Sequence, residues 1–507
     1  MSKKFRILST SDIHGVIYPY AYADGTETNE GLARIRTLIE SLRDEDTIVI
    51  DNGDTIEGSP FTFYHYAYRN PLSPCPLSKA MKVVGYDYMV PGNHDFNYGE
   101  APFFKHIKET GATVLCANLF YKGELLGPEY VIRENNGKKL ALFGLITHYV
   151  PMWEEAENIA NFSFTDAFET CKKTVEKIKE KEAADYIVCV YHGGFERDPE
   201  TNESCENNPG EDQAYRMGKE IKGLSAIMTG HQHREMCGSF NGVAYTQPFQ
   251  HGAFLASIDI NTMTNVVIPS LIPADIYPDE EIMKLCEEDE KEVQKWLDTP
   301  LGTTDIDMLI HDEYESRLHK SQLATFFNKI QKEISGADLS GISIFLKAKG
   351  LGKQITMRSL MSTYFFPNTL VVKKINGRIL REYLERTALF WTMKDDEIII
   401  NPLMDYPTPQ YHNYDFVDDI EYTIKVSNEP GHKIIEMNRH GVPIKDDDEF
   451  TLAINNYRAS GSGGYEMIHD APTVKEINRS VVDLIGEYIK DHKDISFKPL
   501  DNIKVIK

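Results

Sequence analysis

The chain has 507 residues, 41% of them hydrophobic, and a formal net charge of −24. This length exceeds what one hydrophobic core usually organises, so we expect two or three domains. The negative charge argues against a nucleic-acid polymer as the partner, because its phosphate backbone would be repelled. A small anionic substrate remains compatible with this charge, since metal ions can invert the local electrostatic field.

The cysteines and the hydropathy of the chain further limit the class of protein to which it can belong. The seven cysteines are widely spaced and form no CxxC pair, which argues against a disulfide framework and against a thiolate zinc site. No apolar run reaches the length of a transmembrane helix. The N-terminal residues pass directly into a strand-like run, without the apolar segment of a secretion signal. We therefore expect a soluble, cytoplasmic protein with no membrane partner.

The order of the predicted elements indicates two domains joined by a helix. Residues 1–275 alternate strand-like and helical segments, with amphipathic helices at residues 32–42 and 170–183. Residues 276–310 form the predicted linker, in which the acidic stretch 278–296 is expected to be a helix with a solvated face. The second domain comprises residues 311–507. Its predicted helices are residues 321–335 and 380–391, and its predicted strands are residues 369–375, 422–426 and 450–454.

Five short apolar runs in the first half of the chain each end in side chains that bind metals. The runs are residues 7–8, 48–50, 88–90, 187–190 and 227–228. The polar side chains that follow or close them are Asp12, His14, Asp54, Asn93, His192, His231 and His233. In an open α/β sheet, ligands bind beyond the carboxyl ends of the strands. The five strand ends therefore predict one converging metal centre.

The donor types in this set favour two divalent ions. Two ions about 3.5–4 Å apart share a bridging ligand, and the Asp54 carboxylate, in a Gly-Asp turn, is the expected bridge. Asp12 and His14 are two residues apart, so in an extended strand they would point to the same side. The same rule pairs His231 with His233. Nitrogen and oxygen donors without thiolate favour Mn, Zn, Fe or Co; any single histidine would more often be structural, but the ordered set favours ligation.

The motifs of this set resemble those of the calcineurin-like metallophosphoesterases. They are Asp-x-His from residue 12, Gly-Asp-x-x-x-Gly from residue 53, Gly-Asn-His-Asp from residue 92 and Gly-His-x-His from residue 230. The resemblance implies that one ion takes Asp12, His14, Asp54 and His233, and the other Asp54, Asn93, His192 and His231. It also implies that His94 lies beside the scissile phosphate without ligating. Asp95 is expected to orient neighbouring groups, with a direct catalytic part as the alternative.

A glycine-rich segment in the second half, residues 455–465, is the candidate for substrate recognition. Its three glycines would let the backbone approach a ligand closely, and Arg458 supplies a cation. The segment resembles part of the C-terminal, nucleotide-recognising domain of the 5′-nucleotidase family. That resemblance implies a nucleobase sandwiched between Tyr465 and an upstream aromatic, Tyr414, for which a core position is the alternative. The remaining expected substrate-binding residues are Asn456, Arg458 and Arg358.

Over nearly the whole chain, the resemblance implies an α/β protein with two parts. These are an N-terminal metallophosphoesterase β-sandwich flanked by helices and a C-terminal α/β (α+β) nucleotide-recognition domain. Residues 92–99 are similar to the 2′,3′-cyclic-nucleotide 2′-phosphodiesterase/3′-nucleotidase branch. Typical 5′-nucleotidases carry an aspartate at the position of Asn97, where it partners the histidine. Because an amide cannot stabilise an imidazolium by charge, we expect His94 to be less basic here.

The predicted activity is the hydrolysis of nucleotide phosphoesters by a hydroxide that bridges two metal ions. His94, Asp95 and Asn97 are its candidate catalytic residues, and 2′,3′-cyclic nucleotides and 3′-nucleotides are the favoured substrates. A 5′-nucleotidase or UDP-sugar hydrolase is the enzymatic alternative. A catalytically silent nucleotide-binding sensor is the alternative from another class, and the intact set of seven ligands plus His94 argues against it.

Overall fold

The computed structural model describes residues 4–205, 210–366, 368–406 and 409–507. The chain divides into two compact units, residues 1–294 and residues 295–507. Within the described ranges, no helix combines the length and apolar character that crossing a bilayer requires.

Two six-stranded sheets form the centre of the first unit. Its strands are β1 (Lys4–Thr10), β2 (Thr47–Asp51), β3 (Tyr88–Met89), β4 (Thr113–Val114), β5 (Leu119–Tyr121), β6 (Glu124–Leu125), β7 (Val131–Asn135), β8 (Lys138–Ile146), β9 (Phe162–Phe164), β10 (Tyr186–His192), β11 (Ala226–Thr229), β12 (Glu235–Phe240), β13 (Val243–Pro248), β14 (Phe254–Asn261) and β15 (Val267–Pro273). The sheet orders are β15-β14-β1-β2-β3-β4 and β12-β13-β11-β10-β8-β7.

The two sheets pack against each other, which confirms the expected β-sandwich. At their contact, a Cβ added to Gly144 of β8 would lie 2.5 Å from Val90 Cγ2, beyond the end of β3. β1, β2 and β3 are parallel, as are β8, β10 and β11. Parallel neighbours end at the same edge of a sheet, so each sheet presents a row of carboxyl ends there.

Helices cover the sheets of the first unit. They are α1 (Leu32–Leu42), α2 (Pro60–Phe63), α3 (Pro76–Val84), α4 (Glu100–Thr110), α5 (Val150–Trp153), α6 (Ala167–Lys181), α7 (Ala214–Glu220), α8 (Glu280–Leu285) and α9 (Glu287–Leu297). α1 has the predicted bounds and buries the apolar face that its periodicity defines, including Ile35 and Leu38. α6 begins three residues earlier than predicted, because the Asp166 side chain caps its N-terminus by accepting from Glu169 N.

The acidic stretch 278–296 forms two helices instead of one, with the break at Cys286. One side packs into the first unit, where Ile282 and Val293 are buried. On the same side, the Glu290 carboxylate accepts hydrogen bonds from the hydroxyls of Tyr20 and Tyr22. The segment is thus attached to the first unit by a buried face, and α9 crosses the division between residues 294 and 295.

The second unit is an α/β arrangement with its own sheets. Its strands are β16 (Pro300–Thr304), β17 (Met308–Leu309), β18 (Leu339–Ser343), β19 (Gly350–Leu351), β20 (Gln354–Thr356), β21 (Thr369–Asn376), β22 (Trp391–Lys394), β23 (Glu397–Ile400), β24 (Asp415–Asp418), β25 (Glu421–Lys425), β26 (Ile434–Arg439), β27 (Val442–Pro443), β28 (Glu449–Asn455), β29 (Thr473–Ser480), β30 (Asp494–Ile495) and β31 (Ile503–Ile506). Its helices are α10 (Glu315–Leu318), α11 (Gln322–Ser335), α12 (Met357–Met361), α13 (Gly377–Ala388), α14 (Asn456–Ala459), α15 (Glu466–His469) and α16 (Val481–His492).

A five-stranded sheet of order β24-β18-β28-β21-β29 carries α11 against it. β21 and β28 cover two of the predicted strands, and β25 matches the third but ends one residue earlier, at Lys425. α11 starts directly after its N-cap, Ser321. The helix predicted at residues 380–391 starts earlier, at Gly377, where the Asn376 side chain caps it. It ends at Ala388, and Trp391 begins β22.

Candidate metal centre

The first group of predicted ligands comprises Asp12, His14 and His233, whose donor atoms all lie within 4.8 Å of one another. The two Nε2 atoms of His14 and His233 are 3.1 Å apart, and His233 Nε2 is 3.4 Å from Asp12 Oδ1. Asp12 and His14 follow β1 of one sheet, and His233 follows β11 of the other. Both sheets therefore contribute to one donor cluster.

The second group comprises Asp54, His192 and His231, again with donor atoms within 4.8 Å of one another. His192 Nε2 lies 3.3 Å from Asp54 Oδ2 and 3.2 Å from Asn93 Oδ1, which places Asn93 at this group. Asp54 also interacts electrostatically with His14 of the first group. Its role as the bridging ligand stays a prediction.

Five of the seven predicted ligands have left-handed backbone conformations. Their φ angles are 55° for Asp12, 49° for His14, 54° for Asp54, 70° for His231 and 52° for His233. Each such residue costs about 1–3 kcal/mol, so the surrounding structure must hold it in place. Backbone hydrogen bonds do so here, with Asp12 N donating to Gly53 O at 2.8 Å and His14 N donating to Asp54 O at 2.9 Å.

This backbone corrects the strand-alternation argument for the paired ligands. Asp12 and His14 lie beyond the end of β1, so a turn, and not an extended strand, brings both side chains into the first group. His231 and His233 were expected to point to the same side from an extended strand; they lie one in each group, as the resemblance implies. Positive φ at both residues removes the two-residue alternation on which that expectation depended.

Backbone carbonyls fix which ring nitrogen faces the donor cluster in two of the histidines. His14 Nδ1 donates to Glu57 O at 2.7 Å, and His192 Nδ1 donates to Asn52 O at 2.6 Å. A carbonyl oxygen only accepts, so both Nδ1 atoms carry a hydrogen, and Nε2 is the nitrogen that presents a lone pair when either ring is neutral. The donor cluster thus contains nitrogen lone pairs that face other acceptors, and a cation would satisfy them.

The protonation states in the cluster also suit metal ions. Burial and the neighbouring His233 imidazole lower the pKa of His14 to about 3, which leaves its ring in the neutral form that binds metal. Burial disfavours a charged His192, but the Asp54 carboxylate outweighs this and raises the pKa of His192 to about 10. A metal ion held by Asp54 and His192 would take the place of that imidazole proton. The residues present therefore fit divalent cations.

His94 lies next to the second group and belongs to neither group. Its backbone N–H donates to Asp54 Oδ1 at 2.7 Å. Its Nδ1 is 2.8 Å from Asn97 Oδ1 and 3.3 Å from Glu57 Oε2. The Asn97 amide in turn donates from Nδ2 to Glu154 Oε2 at 2.7 Å. The ring is thus held from its Nδ1 side.

His94 is more basic than an ordinary histidine although its partner Asn97 is uncharged, and the comparison with an aspartate at that position stays a prediction. Burial disfavours the protonated ring, but the carboxylates of Asp54 and Glu57 outweigh it and raise the pKa of His94 to about 9. Glu57 is itself buried, and burial raises the pKa of its carboxyl to about 7. The negative charge that the Asn97 amide lacks therefore comes from a different position in the chain.

Asp95 holds the backbone around Asp54. Its buried carboxylate accepts hydrogen bonds from four N–H groups, those of Gly92 at 2.8 Å, Asp54 at 3.1 Å, Thr55 at 2.9 Å and Ile56 at 3.2 Å. These contacts support the expected orienting role of Asp95, and a direct catalytic part stays the alternative prediction.

The two tyrosines expected to sandwich a nucleobase are instead part of the core of the second unit. Tyr414 and Tyr465 are each 0% exposed. The Tyr414 ring packs against Phe390, Trp391 and Phe416. The Tyr465 hydroxyl donates to Asn413 O at 2.9 Å. Neither ring offers a free face in this structure, because neighbouring side chains cover both.

Arg458 is likewise buried and bound within its own unit. Its Nε and Nη2 donate to the two Asp415 carboxylate oxygens at 2.9 and 3.0 Å, and its Nη1 donates to Ser462 O at 2.7 Å. The glycine-rich loop wraps this guanidinium: a Cβ added to Gly463 would lie 2.7 Å from Arg458 Nη1. Gly463 therefore allows close packing around Arg458, and the expected approach of this loop to a ligand stays a prediction.

The remaining two expected substrate-binding residues also have partners within the second unit. Asn456 Oδ1 accepts from Thr369 N at 3.1 Å, at the start of β21. Arg358, in α12, forms an ion pair with Asp298 at 2.8 Å. Substrate contacts for both residues stay predictions.

Sequence reasoning missed two carboxylates at the metal centre. Glu57 lies inside the Gly-Asp-x-x-x-Gly motif, so the sequence indicated that it is close to the metal centre. Its contact with His94 could not be inferred from the sequence. Glu211 gave no sequence signal. Its Oε1 lies 3.0 Å from His231 Nε2, which fixes that ring and leaves Nδ1 as the nitrogen available to a metal.

Comparison with known proteins finds a matching family model for each of the two units. Residues 5–235 match the family model of the calcineurin-like phosphoesterases, and this range contains all seven predicted ligands. Residues 300–470 match the model of the 5′-nucleotidase C-terminal domain. The fold and the donor cluster together define a phosphoester hydrolase.

Similarity over the full length identifies the family. The solved structure of a Staphylococcus aureus protein assigned as a 5′-nucleotidase, in complex with alpha-ketoglutarate, is 30% identical, with a TM-score of 0.92. The match covers 99% of this chain and 100% of that one. The chain belongs to the 5′-nucleotidase family of calcineurin-like phosphoesterases.

Two curated relatives are also similar over almost the whole chain. The 2′,3′-cyclic-nucleotide 2′-phosphodiesterase/3′-nucleotidase of Yersinia enterocolitica is 26% identical, over 97% of this chain and 86% of the relative. The trifunctional nucleotide phosphoesterase protein YfkN of Bacillus subtilis is 24% identical over 98% of this chain. The chain spans 38% of the length of that second relative.

Proposed function

We propose that this hydrolase acts on nucleotide phosphoesters and favours 2′,3′-cyclic nucleotides and 3′-nucleotides. The observation that carries the proposal is the position of His94, which is held beside Asp54 by Asn97 and Glu57 without joining either donor group. From there its ring can bind a phosphoryl or leaving-group oxygen of an ester placed at the donor cluster. The substrate class is supported by the activity named for the Yersinia enterocolitica relative.

The residues of the donor cluster would hold two divalent ions of Mn, Zn, Fe or Co, because they offer nitrogen and oxygen donors without thiolate. Bound metals lower the pKa of a coordinated water and offset the charge of phosphoryl oxygens. The chain itself orients the donors through backbone carbonyls and through the Glu211 carboxylate. It also holds an imidazole beside the cluster for the ester.

A 5′-nucleotidase or UDP-sugar hydrolase is the second candidate function. The Staphylococcus aureus structure favours it, as does a Vibrio cholerae 5′-nucleotidase that is 28% identical over 54% of this chain. Both candidates use the same donor cluster, so substrate comparison separates them.

The test is phosphate release in the presence of Mn²⁺ from 2′,3′-cyclic AMP, 3′-AMP, 5′-AMP and UDP-glucose. Each reaction is run with and without a coupling phosphatase, so that opening of the cyclic diester is also detected. We expect turnover of the cyclic and 3′ compounds. Preference for 5′-AMP or UDP-glucose would favour the 5′-nucleotidase or UDP-sugar hydrolase function instead. If the metal-loaded protein turns over none of the four compounds, both candidate functions are refuted.

A further inference from the structure

Glu57 is a buried carboxylate whose side chain faces His94. The residue is 3% exposed, and its Oε2 lies 3.3 Å from His94 Nδ1. Among the described residues, no lysine, arginine or other histidine nitrogen lies within 4.0 Å of this carboxylate. A buried carboxylate without a partner is strongly unfavourable. The environment of the Glu57 side chain is therefore explained by its pairing with His94.

The orientation of the His94 ring follows from the groups around Nδ1. Glu154 is an acceptor, so the Asn97 amide nitrogen must face it and the amide oxygen must face His94. Nδ1 thus meets two oxygens, those of Asn97 and Glu57, and carries the hydrogen. This leaves Nε2 as the ring nitrogen available to a phosphoester.

The same residue also supports a metal ligand through its backbone. Glu57 O accepts from His14 Nδ1 at 2.7 Å, and the rings of His14 and His94 lie 5.6 Å apart. The two contacts use different atoms of Glu57. A substitution of the side chain alone can therefore separate the support of His94 from the support of the metal ligand.

We propose that Glu57 is a positioning residue for hydrolysis: its carboxylate, together with Asn97, fixes the His94 ring with Nε2 directed to the ester. The inference rests on the proposed function only in placing His94 beside the ester. It predicts that the effect of the Glu57 side chain on turnover passes through His94. A purely structural role would not show this dependence.

The test is a double-mutant cycle of Glu57→Gln and His94→Ala with bis(p-nitrophenyl) phosphate and Mn²⁺. We expect Glu57→Gln to lower kcat about 10- to 100-fold with KM changed less than threefold, as for partners that orient an active-site residue. In the His94→Ala background, the same substitution should lower kcat less than twofold. Glu100→Gln is the matched control, since this glutamate pairs with Tyr121 and Asn161, and its substitution should leave kcat unchanged.

Bound metal is measured in every variant by elemental analysis. Unchanged kcat in Glu57→Gln, an equal loss in the His94→Ala background, or loss of bound metal would each overturn the proposal. If the Gln variant does not fold, Glu57→Asp takes its place in the cycle and should lower kcat by a smaller factor through the same dependence.

The artificial ester separates this test from the proposed function, because hydrolysis of it without turnover of any nucleotide would refute only the nucleotide proposal. If the wild type is inactive on every ester, ¹⁵N NMR of the histidines tests the positioning role of Glu57 instead. A protonated Nδ1 of His94 in the wild type that is altered in Glu57→Gln supports the positioning, and the same signal in both overturns it.

Discussion

Two polar clusters of this molecule, one in each unit, differ in whether their hydrogen bonds are complete. Around Arg458, guanidinium donors meet the Asp415 carboxylate and backbone carbonyls. Around His14, an imidazole Nε2 with a lone pair lies 3.1 Å from Nε2 of His233. The Arg458 cluster is satisfied by its own unit, whereas the metal centre gathers acceptors that only cations would satisfy. Both clusters have charged residues next to glycine-containing turns. What distinguishes the structural cluster from the binding site is whether its hydrogen-bonding groups already have partners within the protein.

Removing the central carboxylate of the metal centre should have the largest effect. Asp54→Asn keeps the shape of the side chain but removes its negative charge, at the position predicted to bridge the two donor groups. We expect kcat to fall at least about a thousandfold, because metal-ion stabilisation of the transition state contributes several kcal/mol. Activity on bis(p-nitrophenyl) phosphate and bound Mn²⁺ would be measured together. A variant that retains more than a tenth of wild-type kcat would contradict the central role of Asp54.

A substitution in the Arg458 cluster should lower the stability of the protein and leave its hydrolytic activity unchanged. Arg458→Met leaves the Asp415 carboxylate buried without its partner, which costs about 3–5 kcal/mol. Chemical denaturation followed by probes in the second unit should show this loss. Hydrolysis of bis(p-nitrophenyl) phosphate by folded protein should be unchanged, because the seven predicted ligands all lie in the first unit.

Arg358→Met is the matched control for that comparison. The Arg358 ion pair with Asp298 is partly exposed, so its loss should cost about 1 kcal/mol or less. A similar loss of stability in both variants would mean that the buried pair at Arg458 has no special weight. Lost turnover in folded Arg458→Met would assign this arginine to the site after all.

The smallest effect is expected from His106, which lies outside the metal centre, so its contribution to the stability of the fold does not depend on bound metal. Burial lowers the pKa of His106 to about 4, and its Nδ1 pairs with the Ser78 hydroxyl at 2.8 Å. In the unfolded chain the histidine pKa is near 6.5, so the unfolded state takes up the proton first as pH falls. The stability that neutral His106 provides is therefore present above pH 6.5 and is lost toward pH 4. Between pH 7 and pH 5 the contribution of His106 to the free energy of unfolding should fall by about 2 kcal/mol.

His106→Gln should remove this contribution and so make the pH dependence of unfolding shallower when it is measured with EDTA present. His319→Gln is the control, since its side chain is 73% exposed and should leave the pH dependence unchanged. An identical slope in wild type and His106→Gln would assign the acid sensitivity to other groups.

The sequence by itself determined the main strands, the α1 and α11 helices and the set of polar residues that follow the parallel strands. These features depend on local periodicity and on the rule that parallel strands end at a common edge, so chain order was enough to gather seven donors. The sequence also gave the division into a metal-binding half and a second α/β half. Even the acidic segment at 278–296 was recognised as helical.

Only the tertiary structure decided how those residues are used. The left-handed backbone at Asp12 and His231 is held by hydrogen bonds between loops, from Asp12 N to Gly53 O and from His231 N to the Asp12 carboxylate, which no local pattern contains. The pairing of Glu57 with His94 joins residues 37 positions apart, and the carboxylates of Asp54 and Glu57 together raise the pKa of that histidine. Tyr465 reads as a loop residue, yet packing covers it completely. Burial and long-range contacts arise from how elements pack together, and that is why they could not be taken from the order of the residues.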